Sequence, residues 1–500
     1  GRYVLRNVPP GTVTVRVQSI GYATIERTVT VGGGATAAVD FELVPEAVAL
    51  DEIVVTATGE ARAREMGTSL ARITSREIEA RPARNTQDIL TAAAPGIEVL
   101  QSTGQPGAGG TIRLRGNNSI SQGNQPIVYV DGVRIYGGYS PTHPAARQVA
   151  SPLNDISAAD IERIEVIKGA AATTLYGTEA SSGVIQIFTK KGATGAPRWT
   201  AEVTAGFNNI GHVGPKSDPT GMWLNRCRGD GLVSYDGRVF EDPTCPASGS
   251  WLRNAPVQSY ALSVSGGLEN VTYYLSGNFS DEQNVVEGAG GSKGGGFLGN
   301  FSFRPFAGTE VSLNTSLTRR ETEWLPSGDN GDAFMLNVTR GFGSNFTGAT
   351  GCKNPEAICV GNGALLTADN TSRSTHFVTG FTVQHRLGER LTNRLSIGYD
   401  YNNSEIESIR PFGYPRFPVG DMTVRDWRQT LFSIDYVGSF DHAFGGSLTS
   451  TFSWGGQLFA DDSRTITMTA EEFAGPGKPT LESAARRSVS SDNRQRVVNA

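Results

Sequence analysis

The stretch NDISAADIERIEVIKGAAATTLYGTEASSGVIQIFTKK, Asn154–Lys191, decides how the chain is read, because it joins two apolar runs through small residues. Its acidic part, Asp160–Glu165, predicts a short helical segment that leads into a strand over Ile164–Lys168. A second strand is predicted over Gly183–Thr189, which is rich in Val and Ile and ends on two lysines. The stretch therefore predicts a compact α+β unit.

Three glycines, Gly169, Gly177 and Gly183, lie where strand-to-loop changes need positive φ or close backbone approach. With Lys168 and Tyr176 they belong to the ordered pattern IKGA, LYG and GVI-x-I-x-TKK. This pattern resembles the second half of the plug domain of TonB-dependent outer-membrane receptors. The resemblance implies a structural role for these five residues.

A second stretch, TIRLRGNNSISQGNQPIVYVDGVRIYGG, resembles the plug of the SusC/RagA branch of these receptors. In that branch an Arg-Gly segment, here Arg115 and Gly116, precedes a YVDGV hairpin. Its turn, Asp131 and Gly132, has the sequence of a two-residue turn with positive φ. The resemblance places the whole plug domain at residues 60–191.

The rest of the plug range predicts two helices and four strands. One helix starts at Ser75 with Glu77 in its first turn, and the other covers Asn85–Ala93 and ends before Pro95-Gly96. The predicted strands are Ile97–Gln101, Thr111–Arg115, Ile127–Val130 and Val133–Tyr136.

Residues 1–45 alternate apolar and polar residues between Gly- and Pro-rich turns, and predict part of a small β-sandwich. Its predicted strands are Gly11–Ile20, Thr28–Val31 and Ala37–Leu43. YVLRNVPPGTVTVRVQSIGY resembles the C-terminal half of a carboxypeptidase-regulatory-like domain, a name that implies no peptidase activity.

Residues 46–59 predict a linker with one β-prone patch, Ile53-Val54-Val55, that could accept an added strand from another protein. An ordinary edge strand is the alternative interpretation. Since DEIVVTATG directly precedes the plug-like range, the resemblance implies a TonB box. Its residues would be Glu52, Ile53, Val54, Val55, Thr56 and Ala57.

From Trp199 onward, long runs alternate apolar and polar residues, and short turns alternate with long loops. About ten such strands and one-sided loop lengths are typical of a transmembrane barrel. A row of soluble β-sandwiches is the alternative. The expected fold class is mainly β: a transmembrane antiparallel β-barrel at 192–500, incomplete here, after the α+β plug and the partial sandwich. The resemblance implies 22 strands around the plug in the complete receptor.

Composition and charge narrow the function classes. The net charge of −5 is spread along the chain, which argues against nucleic acid as a partner. No run of about 18 apolar residues occurs, so no membrane helix is predicted. The five histidines show no zinc spacing, and Gly290–Gly294 matches a nucleophile motif only in a glycine-rich loop. We therefore predict no catalytic residue, no metal and no cofactor.

Four cysteines lie in loop-like segments: Cys227, Cys245, Cys352 and Cys359. Two local disulfides, Cys227–Cys245 and Cys352–Cys359, are predicted, which would place these loops in an oxidising compartment. Four unrelated thiols remain the alternative.

The resemblance implies active import of an oligosaccharide or a peptide across the bacterial outer membrane. It implies three partners: periplasmic TonB with ExbB and ExbD, a SusD-like surface lipoprotein, and outer-membrane lipid. A siderophore or cobalamin receptor is the alternative within the class. A non-transporting surface-binding β-protein is the alternative outside it.

Overall fold

The computed structural model describes residues 11–17, 25–34, 36–37, 39–41, 53–56, 59–62, 70–81, 83, 85–91, 93–120, 123–144, 148–210, 247, 251–328, 332–334, 362–388, 390–414, 417–444, 449–477 and 479–499. They belong to two compact units, one of residues 1–56 and 60–67 and the other of residues 57–59 and 68–500.

The first unit contains short antiparallel pairs. β1 (Gly11–Val17) pairs with β2 (Ile25–Val31) over their whole lengths. Of the strand predicted over Ala37–Leu43, residues 37 and 39–41 are described, and they do not belong to a β-strand. Phe41 instead lies under the Arg27 guanidinium, 5.9 Å from its ring centroid.

The β-prone patch of the linker is also paired. β3 (Ile53–Thr56) and β4 (Gly59–Arg62) form a two-stranded sheet. One edge of the patch is therefore occupied by β4. In a two-stranded sheet each strand keeps one edge outside the ladder.

The second unit begins with a five-stranded sheet, called here the plug sheet. The part of the chain that contains this sheet has the following elements: β5 (Leu70–Thr74), α1 (Ser75–Glu79), α2 (Thr86–Leu90), β6 (Ile97–Gln101), β7 (Gly110–Leu114), β8 (Ile127–Val130), β9 (Val133–Ile135), β10 (Ile161–Ile167), α3 (Thr173–Tyr176) and β11 (Val184–Thr189). The strand order is β5-β10-β11-β8-β9, with β8 and β11 parallel, while β6 and β7 pair separately.

The predicted helical segment over Asp160–Glu165 is wrong, because a single 3₁₀ turn, Ala158–Asp160, leads directly into β10. β10 lies between β5 and β11 and pairs with both. Its β-branched residues suit a pleated surface that is covered on both sides. Pairing on both edges thus outweighs the acidic residues that suggested a helix.

The two predicted helices form, but both are shorter than expected. Thr74, not Ser75, caps α1, since its backbone N–H donates to Glu77 at 2.8 Å in a capping box. Those hydrogen bonds hold the pKa of Glu77 below its usual value. Asn85 caps α2 by accepting from the Asp88 N–H at 2.9 Å.

One face of the plug sheet forms the main apolar core. Aliphatic side chains that are almost wholly buried cross it from edge to edge: Ile73, Ile164, Ile185, Ile187, Val128 and Val133. The core also takes in Val378, which belongs to the large sheet described next. Burial of each such side chain contributes about 1.5–3 kcal/mol.

The rest of the second unit is one antiparallel sheet of ten strands in sequence order, called here the wall. Its strands are β12 (Gly195–Asn208), β13 (Ala255–Leu268), β14 (Val271–Glu282), β15 (Ser292–Phe303), β16 (Thr309–Glu323), β17 (Asp369–Leu387), β18 (Leu391–Arg410), β19 (Asp421–Ala443), β20 (Thr449–Phe473) and β21 (Ala484–Asn499). The predicted number of about ten strands agrees with this sheet. Among the described residues β12 and β21 do not pair, so the ten strands do not close.

The two faces of the wall differ as alternation predicts. Trp199, Val203 and Phe207 are 64–68% exposed on the outer face, while Thr272 and Ser276 are buried on the inner face. Connections at one end of the wall are short, as between β13 and β14, and those at the other are long, as between β16 and β17. In the described part of the chain, every helix is too short or too polar to span a membrane.

The plug turns give a first prediction. Gly177 and Gly183 both have positive φ with extended ψ, a region open almost only to glycine. A Cβ at Gly183 would lie 2.6 Å from Leu114 Cδ1 and 2.7 Å from the Ile167 carbonyl oxygen, whereas a Cβ at Gly177 would meet nothing within 4 Å. We expect Gly177→Ala to cost about 1–3 kcal/mol of plug stability, and Gly183→Ala to cost clearly more. Limited proteolysis of the plug in the complete protein measures both; equal resistance would contradict the steric argument.

A second prediction concerns the faces of the wall. Leu275 lies on the apolar outer row, whereas Ser280 points inward and is partly exposed. If the outer row meets lipid, Leu275→Arg costs about 2–4 kcal/mol near the bilayer midplane and Ser280→Arg much less. Ser276 is an unsuitable control because it is 4% exposed and lies beside Asp160 of the plug. The amount of folded protein in membranes measures the effect, and equal amounts for both variants would refute the face assignment.

Candidate functional site: the interface between plug and wall

Arg115 and Gly116, at the end of β7, adopt positive φ of 60° and 84°. This turn lets the Arg115 N–H donate to the Gly96 carbonyl at 2.9 Å. Lys168 donates to the neighbouring Pro95 carbonyl at 2.7 Å. Burial lowers the pKa of Lys168, and the Arg115 guanidinium lowers it further. Residues at the ends of β7 and β10 therefore bind adjacent carbonyls of the turn before β6.

The predicted turn at Asp131 and Gly132 is confirmed, with φ of 47° and 85°. The Asp131 carboxylate accepts from the Thr189 N–H at 3.0 Å and from the Thr189 hydroxyl. Asn300 of the wall donates to the Thr189 hydroxyl oxygen and to the Lys190 carbonyl, each at 2.7 Å. The turn is thereby joined to β11 and, through β11, to the wall.

Tyr176 and Gly183 lie on the other motif segment. The Tyr176 hydroxyl accepts from Gln186 of β11, and its ring lies 5.4 Å from the Tyr129 ring of β8. Gly169 has a φ of 72°, as the sequence predicts. These residues fold the segment between β10 and β11 back onto the plug sheet.

A notch of small residues receives the tip of the β8–β9 hairpin. Gly380 and Gly398 are paired across β17 and β18, and Gly398 pairs with Ser433 of β19. A Cβ at either glycine would overlap the side chain of Val133. Glycine is required at both places because the plug approaches the wall backbone closely.

Beside this notch, charged side chains link plug and wall. The Asp400 carboxylate of β18 accepts from the Tyr136 backbone N–H at 2.6 Å and from His376 Nε2 of β17 at 2.7 Å. The other nitrogen, Nδ1, lies 3.5 Å from Asp155 Oδ2 of the plug. Arg320 of β16 lies 3.4 Å from the second Asp155 oxygen. Asp400, His376 and Asp155 are 0%, 4% and 9% exposed.

Further polar contacts surround the plug. Gln105 exchanges two hydrogen bonds with the Leu325 backbone, at 2.8 and 2.9 Å. The Tyr274 hydroxyl donates to Asp160 at 3.0 Å. His143 lies 3.0 Å from the Glu407 carbonyl oxygen, and burial lowers its pKa to about 4, with the nearby Arg425 adding to this. His143 is therefore neutral at physiological pH, in an environment unlike that of His376.

Sequence reasoning missed the charged cluster at Asp155, His376 and Asp400. In the sequence analysis, His376 appeared only as one of five histidines without zinc spacing. The signal that could have found them is the alternation of side chains along each strand, which puts His376 and Asp400 on the polar, inward faces of β17 and β18. This alternation assigns a residue to one face of a sheet, but it does not identify the residues that pack against that face.

The other predicted site residues lie in the first unit or outside the described residues. Ile53, Val54, Val55 and Thr56 form β3 in the first unit. Glu52 and Ala57 lie outside the described residues, and so do Cys227, Cys245, Cys352 and Cys359. The TonB box and the disulfides therefore stay predictions.

Two family matches cover the first part of the chain. Residues 62–184 match the TonB-dependent Receptor Plug Domain, and residues 1–55 match the CarboxypepD_reg-like domain. The plug match includes the plug sheet as far as the start of β11. The predicted nature of both regions agrees with these matches.

Known relatives extend the similarity into the wall. The TonB-dependent receptor SusC of Bacteroides thetaiotaomicron is 26% identical over 400 residues, which are 73% of this chain and 38% of SusC. The Rhizobactin receptor of Rhizobium meliloti is 32% identical over 163 residues, 32% of this chain and 19% of that protein. The chain thus spans less than half the length of SusC.

Among solved structures, the RagAB peptide importer in its open-open state superposes with a TM-score of 0.70 at 18% identity. The match covers 89% of this chain and 53% of that one, and it shows a shared fold. Together, the two domain matches, the similarity to SusC and the shared fold support a SusC/RagA-type TonB-dependent receptor over the length that this chain covers.

Proposed function

We propose that the complete protein imports a large solute, an oligosaccharide or a peptide, across the bacterial outer membrane by a TonB-dependent mechanism. The observation that carries this proposal is the plug sheet seated against the inner face of the wall by hydrogen bonds, ion pairs and the Val133 notch. A lumen filled in this way admits no large solute until the plug moves. The chain would divide into a partial regulatory-like domain at 1–45, a linker at 46–59, a plug at 60–191 and a barrel part at 192–500.

Energy would enter through β3. A periplasmic TonB protein, driven by ExbB and ExbD, would add a strand to the edge of β3 that β4 does not occupy. Such pairing uses backbone N–H and C=O groups, so it depends on strand competence more than on side-chain identity. The short β3–β4 hairpin would be either kept or displaced when TonB binds.

The long connections of the wall support a further partner. Apolar side chains from four of them share one buried core: Trp251, Val286, Leu325, Phe334, Leu365 and Tyr414. Within it the Trp251 and Phe334 rings pack edge to face at 5.1 Å. An ordered rim of this kind offers a surface on which a SusD-like surface lipoprotein could act as a lid. Outer-membrane lipid would contact the apolar outer face, including Trp199 and Phe207.

A siderophore or cobalamin receptor is the second candidate within the class, favoured by the 163-residue similarity to the Rhizobactin receptor. The longer similarity to SusC and the preceding CarboxypepD_reg-like domain favour the import of oligosaccharides or peptides. Neighbouring genes would separate the two: a SusD-like gene with glycoside hydrolases or peptidases supports the first proposal. The relatives named are receptors and an importer, and we propose no catalytic activity for the chain.

The coupling role of β3 gives a third prediction. Proline removes a backbone donor and disrupts strand pairing, so Val54→Pro should abolish energised uptake, while Val54→Ala should have a much smaller effect. Val54 lies outside the plug sheet and the wall, so ligand binding at the cell surface and assembly should survive both changes. The measurement is surface binding and uptake of a labelled oligosaccharide or peptide by cells with each variant.

Normal uptake by the Val54→Pro strain would refute the TonB-box assignment. Joint loss of binding and uptake would instead show that β3 is a structural edge strand. A soluble product from residues 198–500 without detergent would favour the surface-binding alternative.

A further inference from the structure

We propose that His376 is a positioning residue that clamps the plug to the wall, acting with Asp155 and Asp400 to keep the lumen sealed until TonB pulls. This inference rests on the proposed import function, because a seal has meaning only in a barrel with a plug. Its contacts join two separate parts of the second unit. Asp155 belongs to the plug, whereas His376 and Asp400 belong to β17 and β18.

His376 lies between two carboxylates, one of the plug and one of the wall. Its two ring nitrogens face carboxylate oxygens, at 2.7 Å on the Asp400 side and 3.5 Å on the Asp155 side. A protonated imidazole carries an N–H on each ring nitrogen, so as a cation His376 can donate towards both carboxylates. In that form it joins a carboxylate of the plug to a carboxylate of the wall.

The charges in this cluster balance. Asp155 and Asp400 contribute two negative charges, while His376 and Arg320 contribute two positive charges. Asp400 is also held by the Asn402 amide at 3.2 and 3.3 Å and by the Tyr136 N–H at 2.6 Å. Removal of the central cation would leave two carboxylates facing each other in a buried space. Unpaired buried charges are strongly unfavourable, so the plug would be pushed from its seat.

The position of the clamp explains why it acts on plug seating. Tyr136, whose N–H is bound by Asp400, directly follows β9 and lies three residues after Val133. Val133 fits the Gly380–Gly398 notch on the same two strands that carry His376 and Asp400. The notch fixes where the hairpin sits, and the clamp supplies the attraction that keeps it there.

The test measures leakage of the complete protein in the outer membrane of a strain without TonB. The probe is vancomycin, a large hydrophilic antibiotic that enters poorly through an intact outer membrane. We expect His376→Gln to raise its influx roughly tenfold, since it leaves buried charge uncompensated. Asp155→Asn should leak as well, and the double variant should leak no more than the worse single variant, because both changes remove one shared interaction.

Two further variants distinguish a specific role of the charge at His376 from a general weakening of the contact between plug and wall. His376→Lys keeps a cation between the carboxylates and should restore most of the seal. His385→Gln alters another histidine of β17, whose Nδ1 lies 2.8 Å from the Thr309 hydroxyl of the neighbouring strand β16, and should not leak. Folded protein in the membrane is quantified by its heat-dependent mobility on gels.

Influx at the level of the unaltered protein in assembled His376→Gln would overturn the proposal, as would additive leakage in the double variant. If His376→Gln does not assemble, Asp155→Asn decides alone; failure of both to assemble also counts against the clamp, which acts on seating and not on insertion of the wall. The assay needs neither a ligand nor TonB. A leak in these variants without energised uptake by the unaltered protein would support the clamp and refute the import function.

Discussion

The structure depends on one constraint: polar side chains on the inner face of the wall are buried and must find partners. Asn300, His376 and Asp400 are at most 4% exposed. Each forms a hydrogen bond with a group of the plug or with a neighbour that touches the plug. Because a buried polar group without a partner costs about 1–3 kcal/mol, plug and wall specify each other.

The contacts between plug and wall are of two physical kinds. The Val133 notch is steric, short in range and insensitive to charge. The ion-pair cluster at His376 acts only while its charges are paired and out of water. A plug held by many hydrophobic contacts would require all of that surface to be exposed before it moved. A plug held by polar contacts can be released by admitting water to them.

Much of the fold was predictable because it rests on local patterns. Period-two alternation predicted the strands of the wall, and the glycines at 169, 177 and 183 predicted positive φ. Where pairing decides the outcome, local patterns were insufficient: Glu162 and Glu165 suggested a helix, but β5 and β11 make the segment a strand. Of the site, only the motif residues of the plug could be predicted from the sequence. The meeting of Asp155 with His376 spans more than two hundred residues of sequence, and no periodicity within either segment encodes it.

The unequal lengths of the wall strands carry a consequence for depth in the bilayer. A barrel strand needs about 9–11 residues to cross the hydrocarbon, yet β19 and β20 have 23 and 25 residues. On the outer face of β20, Phe452 and Trp454 are exposed apolar residues, whereas Asp462 pairs with Arg494 at 2.7 Å. In the proposed membrane setting the Asp462–Arg494 pair would lie at or beyond the end of the lipid tails, because charged groups are costly in hydrocarbon. The part of β20 beyond Asp462 would then stand above the hydrocarbon, and β19 and β20, the longest described strands of the wall, would extend furthest from it.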